Sequence, residues 1–183
     1  MKIVWEERGS GDPLLLIQGL GYGRWSWEPI LPGLAERYRV LFFDNRGIGE
    51  SDKPAGPYTA REMAADALQV LDESEVERAH VLGASLGGMI AQELAVTAPE
   101  RVDRLVLCCT TPGGEATVPM PAVTVELFAA AGSLPPEVAL RRFVENALAP
   151  DAAPELVKLD GLGHLFFWEQ PDAVVRIVRE FLG

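Results

Sequence analysis

A glycine-rich segment around Ser85 limits the possible folds of this chain more than any other feature. Gly83–Gly88 reads GASLGG, follows the apolar run Ala79–Leu82 and opens the helical stretch Leu86–Thr97. Glycines on both sides of a serine let the chain turn sharply where side chains would clash. Between a strand and a helix, this G-x-S-x-G pattern lifts the serine above the strand end, at the helix N-terminus. A simple turn with a capping serine is the alternative, which the flanking strand and helix make less favoured.

Short apolar runs alternate with helical stretches along the chain. Strands are predicted at Leu14–Ile17, Arg39–Phe43, Ala79–Leu82, Leu105–Cys109 and Glu155–Leu159. Helices are predicted at Trp27–Tyr38, Thr59–Asp72, Leu86–Thr97, Val123–Ala131, Pro136–Leu148 and Pro171–Leu182. The second of these helices opens with a capping box, Thr59–Glu62. Repeated strand–helix–strand units indicate an α/β fold: a mostly parallel sheet with helices on both faces, in one domain of 183 residues.

Composition excludes several classes of function. The formal net charge of −11 argues against nucleic acids and anionic membranes as partners, since both attract clustered Lys and Arg. Met1–Glu7 has no apolar signal segment, and no apolar run approaches the roughly 18 residues of a membrane span. Cys108 and Cys109 are predicted to be buried free thiols, which fits a reducing cytoplasmic setting. Neither a P-loop nor Cys/His metal spacing occurs, so no cofactor and no metal are expected.

A serine hydroxyl needs a base to become a nucleophile, and the chain has two histidines. His80 precedes Ser85 by five residues on the same predicted strand, roughly 16 Å away at the rise of a strand, and is expected to be structural. His164 follows the last predicted strand, Glu155–Leu159, in a loop at the carboxyl edge of the sheet. Ser85 projects at that same edge, so His164 is the candidate base.

Acyl transfer also needs hydrogen-bond donors for the oxyanion that develops on the substrate. The Gly-rich segment Gln18–Gly23, which follows the first long strand, can offer a free backbone N–H. A second donor is expected from Leu86, the residue after the nucleophile. Taken alone, Gln18–Gly23 is equally well a plain strand-to-helix turn.

These segments together resemble the α/β-hydrolase superfamily, and within it the branch of 3-oxoadipate enol-lactonase-like enzymes, carboxylesterases and cofactor-free perhydrolases. Four segments carry the resemblance in order: Gln18–Gly23, Phe43–Asp52, Gly83–Gly88, and Gly163-His164 followed by Trp168–Pro171. The branch usually has His where this chain has Gln18, which the function tolerates because the donor is a backbone group.

The resemblance implies a role for each matching residue. Ser85 is implied as the nucleophile, His164 as its base, and Leu20 and Leu86 as the oxyanion donors. Two further residues, Asp44 and Arg46, are implied to brace the loops beneath the site.

The stretch between Ser85 and His164 departs from the family. Members normally place there a cap of helices, then a strand followed by the acid that orients the histidine. Here 113–154 is interpreted as a reduced cap or crossover, and that penultimate strand and its acid are predicted to be absent. Strand Glu155–Leu159 is then expected to pair directly with Leu105–Cys109.

Several acids could replace the missing one. Glu115 is favoured because it follows a strand at the carboxyl edge. Asp151, Asp160 and Glu145 are the other candidates. A Ser–His dyad, or a histidine held by a backbone carbonyl or a water molecule, is also open.

The expected activity is hydrolysis of small carboxylic esters, with a preference for short acyl chains. An enol-lactonase, a perhydrolase or a carbon–carbon bond hydrolase of the same branch is the alternative enzyme. A minimal scaffold with little or no turnover is the non-enzymatic alternative, given the missing acid. A homodimer is a further expectation, because a reduced cap exposes apolar surface.

Overall fold

The computed structural model describes residues 1–112, 122–131 and 166–183. Its five strands are β1 (Trp5–Arg8), β2 (Asp12–Ile17), β3 (Tyr38–Phe43), β4 (Ala79–Ala84) and β5 (Val102–Cys108). They form one sheet in the order β1-β3-β2-β4-β5. β1 is antiparallel to β3, and the other three pairings are parallel. The predicted mostly parallel sheet is confirmed.

Six α-helices lie in the described part of the chain. They are α1 (Leu31–Ala35), α2 (Ala60–Glu73), α3 (Leu86–Thr97), α4 (Ala122–Ala131), α5 (Phe166–Glu169) and α6 (Pro171–Leu182). None of the helices described is long and apolar enough to cross a membrane. The capping box of α2 is confirmed: the Thr59 side chain accepts the Glu62 N–H, and the Glu62 carboxylate accepts the Thr59 N–H.

β2 shows why a continuous apolar run predicted a strand buried on both faces. Leu14, Leu15, Leu16 and Ile17 are all fully buried. Successive side chains of a strand point to opposite faces. Leu15 and Ile17 pack into the core beneath α2 and α3, whereas Leu14 and Leu16 pack into the core beneath α1 and α6. Helices therefore cover both faces of the sheet, as predicted.

The C-terminal helix α6 is held tightly against the sheet. Val174, Val175 and Val178 are buried in the core beneath it. The Arg104 guanidinium, on β5, donates to the backbone oxygen of Phe181 at 2.8 Å. Arg179 pairs with Glu36 at 2.7 Å. This docking determines where α5, which directly precedes α6, lies relative to the carboxyl edge of the sheet.

Two sequence predictions differ from the structure. The helical stretch predicted at Trp27–Tyr38, which Pro32 and Gly33 interrupt, is a 3₁₀ turn at Arg24–Trp27 followed by the five-residue α1. Pro32 sits in the first turn of α1, where a missing N–H is tolerated, so the helix begins only there. β1 was not predicted, because Glu6, Glu7 and Arg8 are exposed edge residues with no apolar alternation.

Several predictions lie outside the described residues. These are the helix at Pro136–Leu148, the strand at Glu155–Leu159 and its pairing with β5, and most of the segment 113–154. The helix predicted at Val123–Ala131 is confirmed as α4.

Candidate active site

Ser85 occupies a strained turn between β4 and α3. Its backbone has φ 55° and ψ −122°, a conformation that few non-glycine residues adopt. Gly87 follows on the first turn of α3, where any Cβ would collide with the Ile17 carbonyl group of the neighbouring strand. The predicted strand–turn–helix is therefore confirmed. Strain of this kind collects at functional sites, where the surroundings hold a side chain in one direction.

The loop after β2 is held by buried polar side chains. Gln18 Oε1 accepts the Gly19 N–H at 2.8 Å, and Gln18 Nε2 donates to the Ser26 hydroxyl at 2.6 Å. Asn45 Nδ2 donates to the Gln18 backbone oxygen at 2.8 Å. All three of these side chains are buried. The Gln18 side chain thus stabilises the conformation of the loop, a role that the sequence alone did not indicate.

This loop packs directly on the turn that carries Ser85. A Cβ added to Gly19 would stand 2.9 Å from the Ser85 Cβ. The next N–H along the loop is that of Leu20, and among the described residues no backbone acceptor takes it. Leu86 is the first residue of α3, where N–H groups have no partner within the helix. Within the described part of the chain, the N–H groups of Leu20 and Leu86 are therefore both without a backbone acceptor.

Aromatic side chains surround the opening above Ser85. Tyr22, Phe167 and Trp168 line the same pocket as Ser85. The ring centroids of Tyr22 and Trp25 are 6.0 Å apart, and those of Trp25 and Trp168 are 6.2 Å apart. Burial raises the pKa of the Tyr22 hydroxyl, so this group stays neutral. The described lining of the pocket therefore combines aromatic rings with the polar side chains of Gln18, Ser26 and Ser85.

Phe167 closes one side of this pocket. It is buried and packs edge-on against Trp27, with 4.9 Å between the ring centroids. Phe167 lies on α5, so the docking of α6 also positions this wall.

Asp44 braces the loop beneath the site, as the resemblance implied. This buried carboxylate accepts the backbone N–H of Arg24 at 2.7 Å and that of Glu50 at 3.0 Å. It also lies 3.2 Å from the Arg24 Nε. Asp44 therefore joins the segment after the Gln18–Gly23 loop to the loop after β3.

Arg46 braces a second loop. Its guanidinium binds both carboxylate oxygens of Asp66 on α2, at 2.6 and 2.8 Å. This two-point hydrogen bond raises the pKa of Arg46. The loop that follows β3 is thereby tied to α2.

His80 is structural, as predicted. It is buried on β4, its ring lies edge-on to Tyr38 at 6.2 Å between centroids, and its Nδ1 lies 3.1 Å from an Asp103 oxygen. These neighbours place it away from the carboxyl edge that carries Ser85.

The two cysteines are free, as predicted, with Cys108 partly buried and Cys109 exposed. β5 ends at Cys108, and Cys109 turns away with φ 43°. Cys109 is therefore exposed, and the prediction that both residues are buried is wrong for it. Atoms crowded around the sulfur still raise the pKa of the Cys109 thiol to about 11, and burial raises that of Cys108 to about 12. Both thiols are protonated at neutral pH and are poor nucleophiles.

Comparison with known proteins decides the family. The family model described as the alpha/beta hydrolase fold matches residues 12–156. This chain belongs to the α/β-hydrolase family. A 2-hydroxymuconate semialdehyde hydrolase from Pseudomonas sp. strain CF600 is 40% identical over 143 residues, 76% of this chain and 48% of that protein. The RutD protein of Azorhizobium caulinodans is 44% identical over 105 residues, 57% of this chain and 40% of that protein.

Solved structures of this family superimpose on the chain. The enol-lactonase from Burkholderia xenovorans LB400 does so with a TM-score of 0.70 and 25% identity, covering 97% of this chain and 63% of that one. The chain spans less than half the length of each of the two curated relatives described above.

The other candidate residues of this α/β-hydrolase lie outside the described residues. They are His164, Glu115, Asp151, Asp160 and Glu145. The structure packs the Gln18–Gly23 segment, which contains Leu20, against the Gly83–Gly88 segment, which contains Ser85 and Leu86. Sequence reasoning missed Ser26, Asn45 and Thr110, which hold these segments in place, because nothing in their local sequence announces their hydrogen-bond partners.

Proposed function

We propose that this chain is a hydrolase of small carboxylic esters and that Ser85 is its nucleophile. The observation that carries the proposal is the strained turn at Ser85, beside which the N–H groups of Leu20 and Leu86 have no backbone acceptor among the described residues. Such a pair is what a tetrahedral oxyanion requires. The matches to hydrolases within the family support the same class of reaction.

His164 is proposed as the base. Phe167 lines the pocket of Ser85, and it follows His164 by only three residues. Three residues span at most about 11 Å of extended chain, so an imidazole at position 164 is within reach of the pocket. His80, the other histidine, is held on the far part of β4 by Tyr38 and Asp103.

The proposed reaction runs in two steps. The Ser85 hydroxyl oxygen attacks the ester carbonyl carbon while His164 takes the hydroxyl proton, and the N–H groups of Leu20 and Leu86 bind the oxyanion. Collapse of this intermediate breaks the bond to the alcohol, which leaves with the proton from His164. A water molecule then attacks the acyl-enzyme, His164 takes its proton, and the carboxylic acid leaves as Ser85 regains its hydrogen.

The first experiment separates an enzyme from an inert scaffold. A fluorophosphonate probe forms a covalent bond with an activated serine, and mass spectrometry locates the labelled residue. Labelling at Ser85 supports the hydrolase. Absence of labelling, together with no ester turnover above background, would indicate a scaffold that binds acyl ligands without hydrolysing them.

A carbon–carbon bond hydrolase is the second candidate. It is favoured by the 40% identity to the 2-hydroxymuconate semialdehyde hydrolase, which extends over 76% of this chain. Both activities use the same nucleophile and oxyanion donors, so only substrates can separate them. Consumption of 2-hydroxymuconate semialdehyde faster than p-nitrophenyl acetate, both dependent on Ser85, would favour this candidate over the esterase.

Glu115 is the proposed acid that orients His164. The segment just before it is fastened to the site, because the Thr110 hydroxyl donates to the Ser85 carbonyl oxygen at 2.7 Å. Glu115 follows Pro112, the last described residue of that segment, by three positions. Asp151, Asp160 and Glu145 are the alternative acids.

The variant Glu115→Gln tests this role. Disabling the acid of a Ser–His–acid triad lowers kcat by about 10⁴-fold, and we expect a loss of that order if Glu115 orients His164. Asp151→Asn, Asp160→Asn and Glu145→Gln are the matched controls, each removing one negative charge. A loss of only a few-fold for Glu115→Gln would exclude the role, and a large loss in one control would assign it to that acid.

Substrate size gives another prediction. Phe167 is buried against Trp27 and stands beside Ser85, so the described wall leaves little depth for a long acyl chain. We expect kcat/KM for p-nitrophenyl esters to be highest for acetate to butyrate and to rise no further towards decanoate. Each buried methylene would otherwise add about 0.8 kcal/mol, or roughly fourfold, so a steep rise with chain length would contradict a shallow pocket.

A further inference from the structure

Both backbone groups of Ser85 are held by the last residue of β5 and the residues that follow it. The Ser85 N–H donates to the Cys108 carbonyl oxygen at 2.9 Å. The Ser85 carbonyl oxygen accepts the Thr110 hydroxyl at 2.7 Å, and it also accepts the Gly88 N–H at 2.9 Å. Among the described residues, the Thr110 side chain thus donates to the Ser85 carbonyl oxygen, and the Cys109 thiol also interacts with the Ser85 backbone.

The position of Thr110 is determined by close packing on α3. A Cβ added to Gly88 would stand 2.6 Å from both the Cβ and the Oγ1 of Thr110, so position 88 has no room for a side chain. Gln92, one turn further along α3, donates through Nε2 to the Thr111 and Gly88 carbonyl oxygens, both at 3.1 Å. The positive φ of Cys109 turns the chain so that Thr110 faces the helix.

The hydrogen bond from Thr110 to the Ser85 carbonyl oxygen also affects the orientation of the backbone at Leu86, the residue after Ser85. The peptide unit between Ser85 and Leu86 is planar, and in a trans peptide its C=O and N–H point in opposite directions. The direction of the Ser85 carbonyl group therefore sets the direction of the Leu86 N–H. That N–H is one of the two groups proposed above to bind the oxyanion.

We propose that Thr110 is a positioning residue that aims the Leu86 N–H at the oxyanion by hydrogen-bonding to the Ser85 carbonyl oxygen. This inference rests on the proposed function of Ser85 and Leu86. Thr110 itself does not contact the substrate, and its hydroxyl neither gains nor loses a proton in the reaction. Its effect falls on the transition state, because the ester carbonyl oxygen gains its charge only there.

The expected effect is moderate. Removing an oxyanion donor lowers kcat by about 10²–10³-fold. Thr110→Val leaves the Leu86 N–H in place, and the Gly88 N–H still holds the Ser85 carbonyl oxygen. We therefore expect about a 10-fold loss of kcat, with KM almost unchanged.

The test compares Thr110→Val, which removes the hydroxyl and keeps the shape, with Thr110→Ser, which keeps the hydroxyl. kcat and KM are measured on p-nitrophenyl acetate, and Ki is measured for a small alkylboronic acid that forms a tetrahedral adduct with serine. We expect Thr110→Val to lower kcat and to raise Ki by similar factors of about 10. Thr110→Ser is expected to retain most of the wild-type kcat and boronic acid affinity.

Three outcomes would overturn this role for Thr110. These are wild-type kcat in folded Thr110→Val, an increase in KM without a change in kcat, and a loss in Thr110→Ser as large as in Thr110→Val. Thr110→Ala serves as a second hydroxyl-free variant if Thr110→Val does not fold, and failure of both to fold would make Thr110 a purely structural residue. Failure of the proposed function is distinguishable, because wild-type protein would then show no turnover that depends on Ser85.

Discussion

Ser85→Ala is expected to reduce p-nitrophenyl acetate hydrolysis to the background rate while the protein remains folded. In the proposed mechanism the Ser85 hydroxyl oxygen forms the bond to the acyl group, and no other described side chain at the pocket is proposed as a nucleophile. Cys109 lines the same pocket, but the raised pKa of its thiol, about 11, keeps it protonated at neutral pH. The measurement is initial rate against enzyme concentration, with circular dichroism and thermal unfolding to establish the fold.

Ser10→Ala is the matched control for this variant. Ser10 is exposed in the turn between β1 and β2, far along the chain from the turn at Ser85. The Ser10→Ala variant should keep wild-type turnover, and the fluorophosphonate probe should label it as it labels the wild type. Wild-type turnover in purified Ser85→Ala would show that the nucleophile has been assigned to the wrong residue.

His164→Ala is expected to lower kcat by about 10⁴-fold or more, because the nucleophile then has no base to take its proton. Steady-state and burst kinetics on p-nitrophenyl acetate separate a slow acylation from a slow deacylation, and both steps should be slowed. Fluorophosphonate labelling of Ser85 should slow in parallel, since it uses the same base.

His80→Gln provides the matched control, because it removes the other histidine of the chain. His80 is buried between Tyr38 and Asp103, so the variant should lose some stability but keep kcat. The assignment of His164 would be refuted if the two variants exchanged these behaviours, with His80→Gln inactive and His164→Ala active.

Local sequence was sufficient to predict most of the described elements. The central strands are buried on both faces, so their apolar runs are continuous and easily recognised. The helices α2, α3 and α6 begin at recognisable signals: a capping box, the glycine-rich turn and a proline in the first turn. The strand β1 gave no such signal, since an edge strand with exposed Glu and Arg side chains has no apolar pattern.

The strained turn at Ser85 was predictable from sequence because its requirements are local. A serine at a strained turn needs small neighbours in fixed positions, and those neighbours are adjacent in the chain. The role of Gln18 in holding the loop was not predicted, because its hydrogen-bond partners are not adjacent to it in the chain. Its side chain matters through Ser26, eight residues away, and its backbone oxygen through Asn45, which comes from a different strand end.

What the sequence determined by itself is therefore the alternation of strands and helices, the turn at Ser85 and the family to which the chain belongs. These follow from backbone sterics and from the period of apolar side chains, and both depend on residues that are close together in the chain. The tertiary structure decided which distant groups surround that turn. It placed Gly19 against Ser85, brought Phe167 and Trp168 to the pocket by docking α6, and put the Thr110 hydroxyl on the Ser85 carbonyl oxygen. Such contacts depend on the order and register of the strands, and no local pattern records the partner of a hydrogen bond that closes across 25 residues of chain.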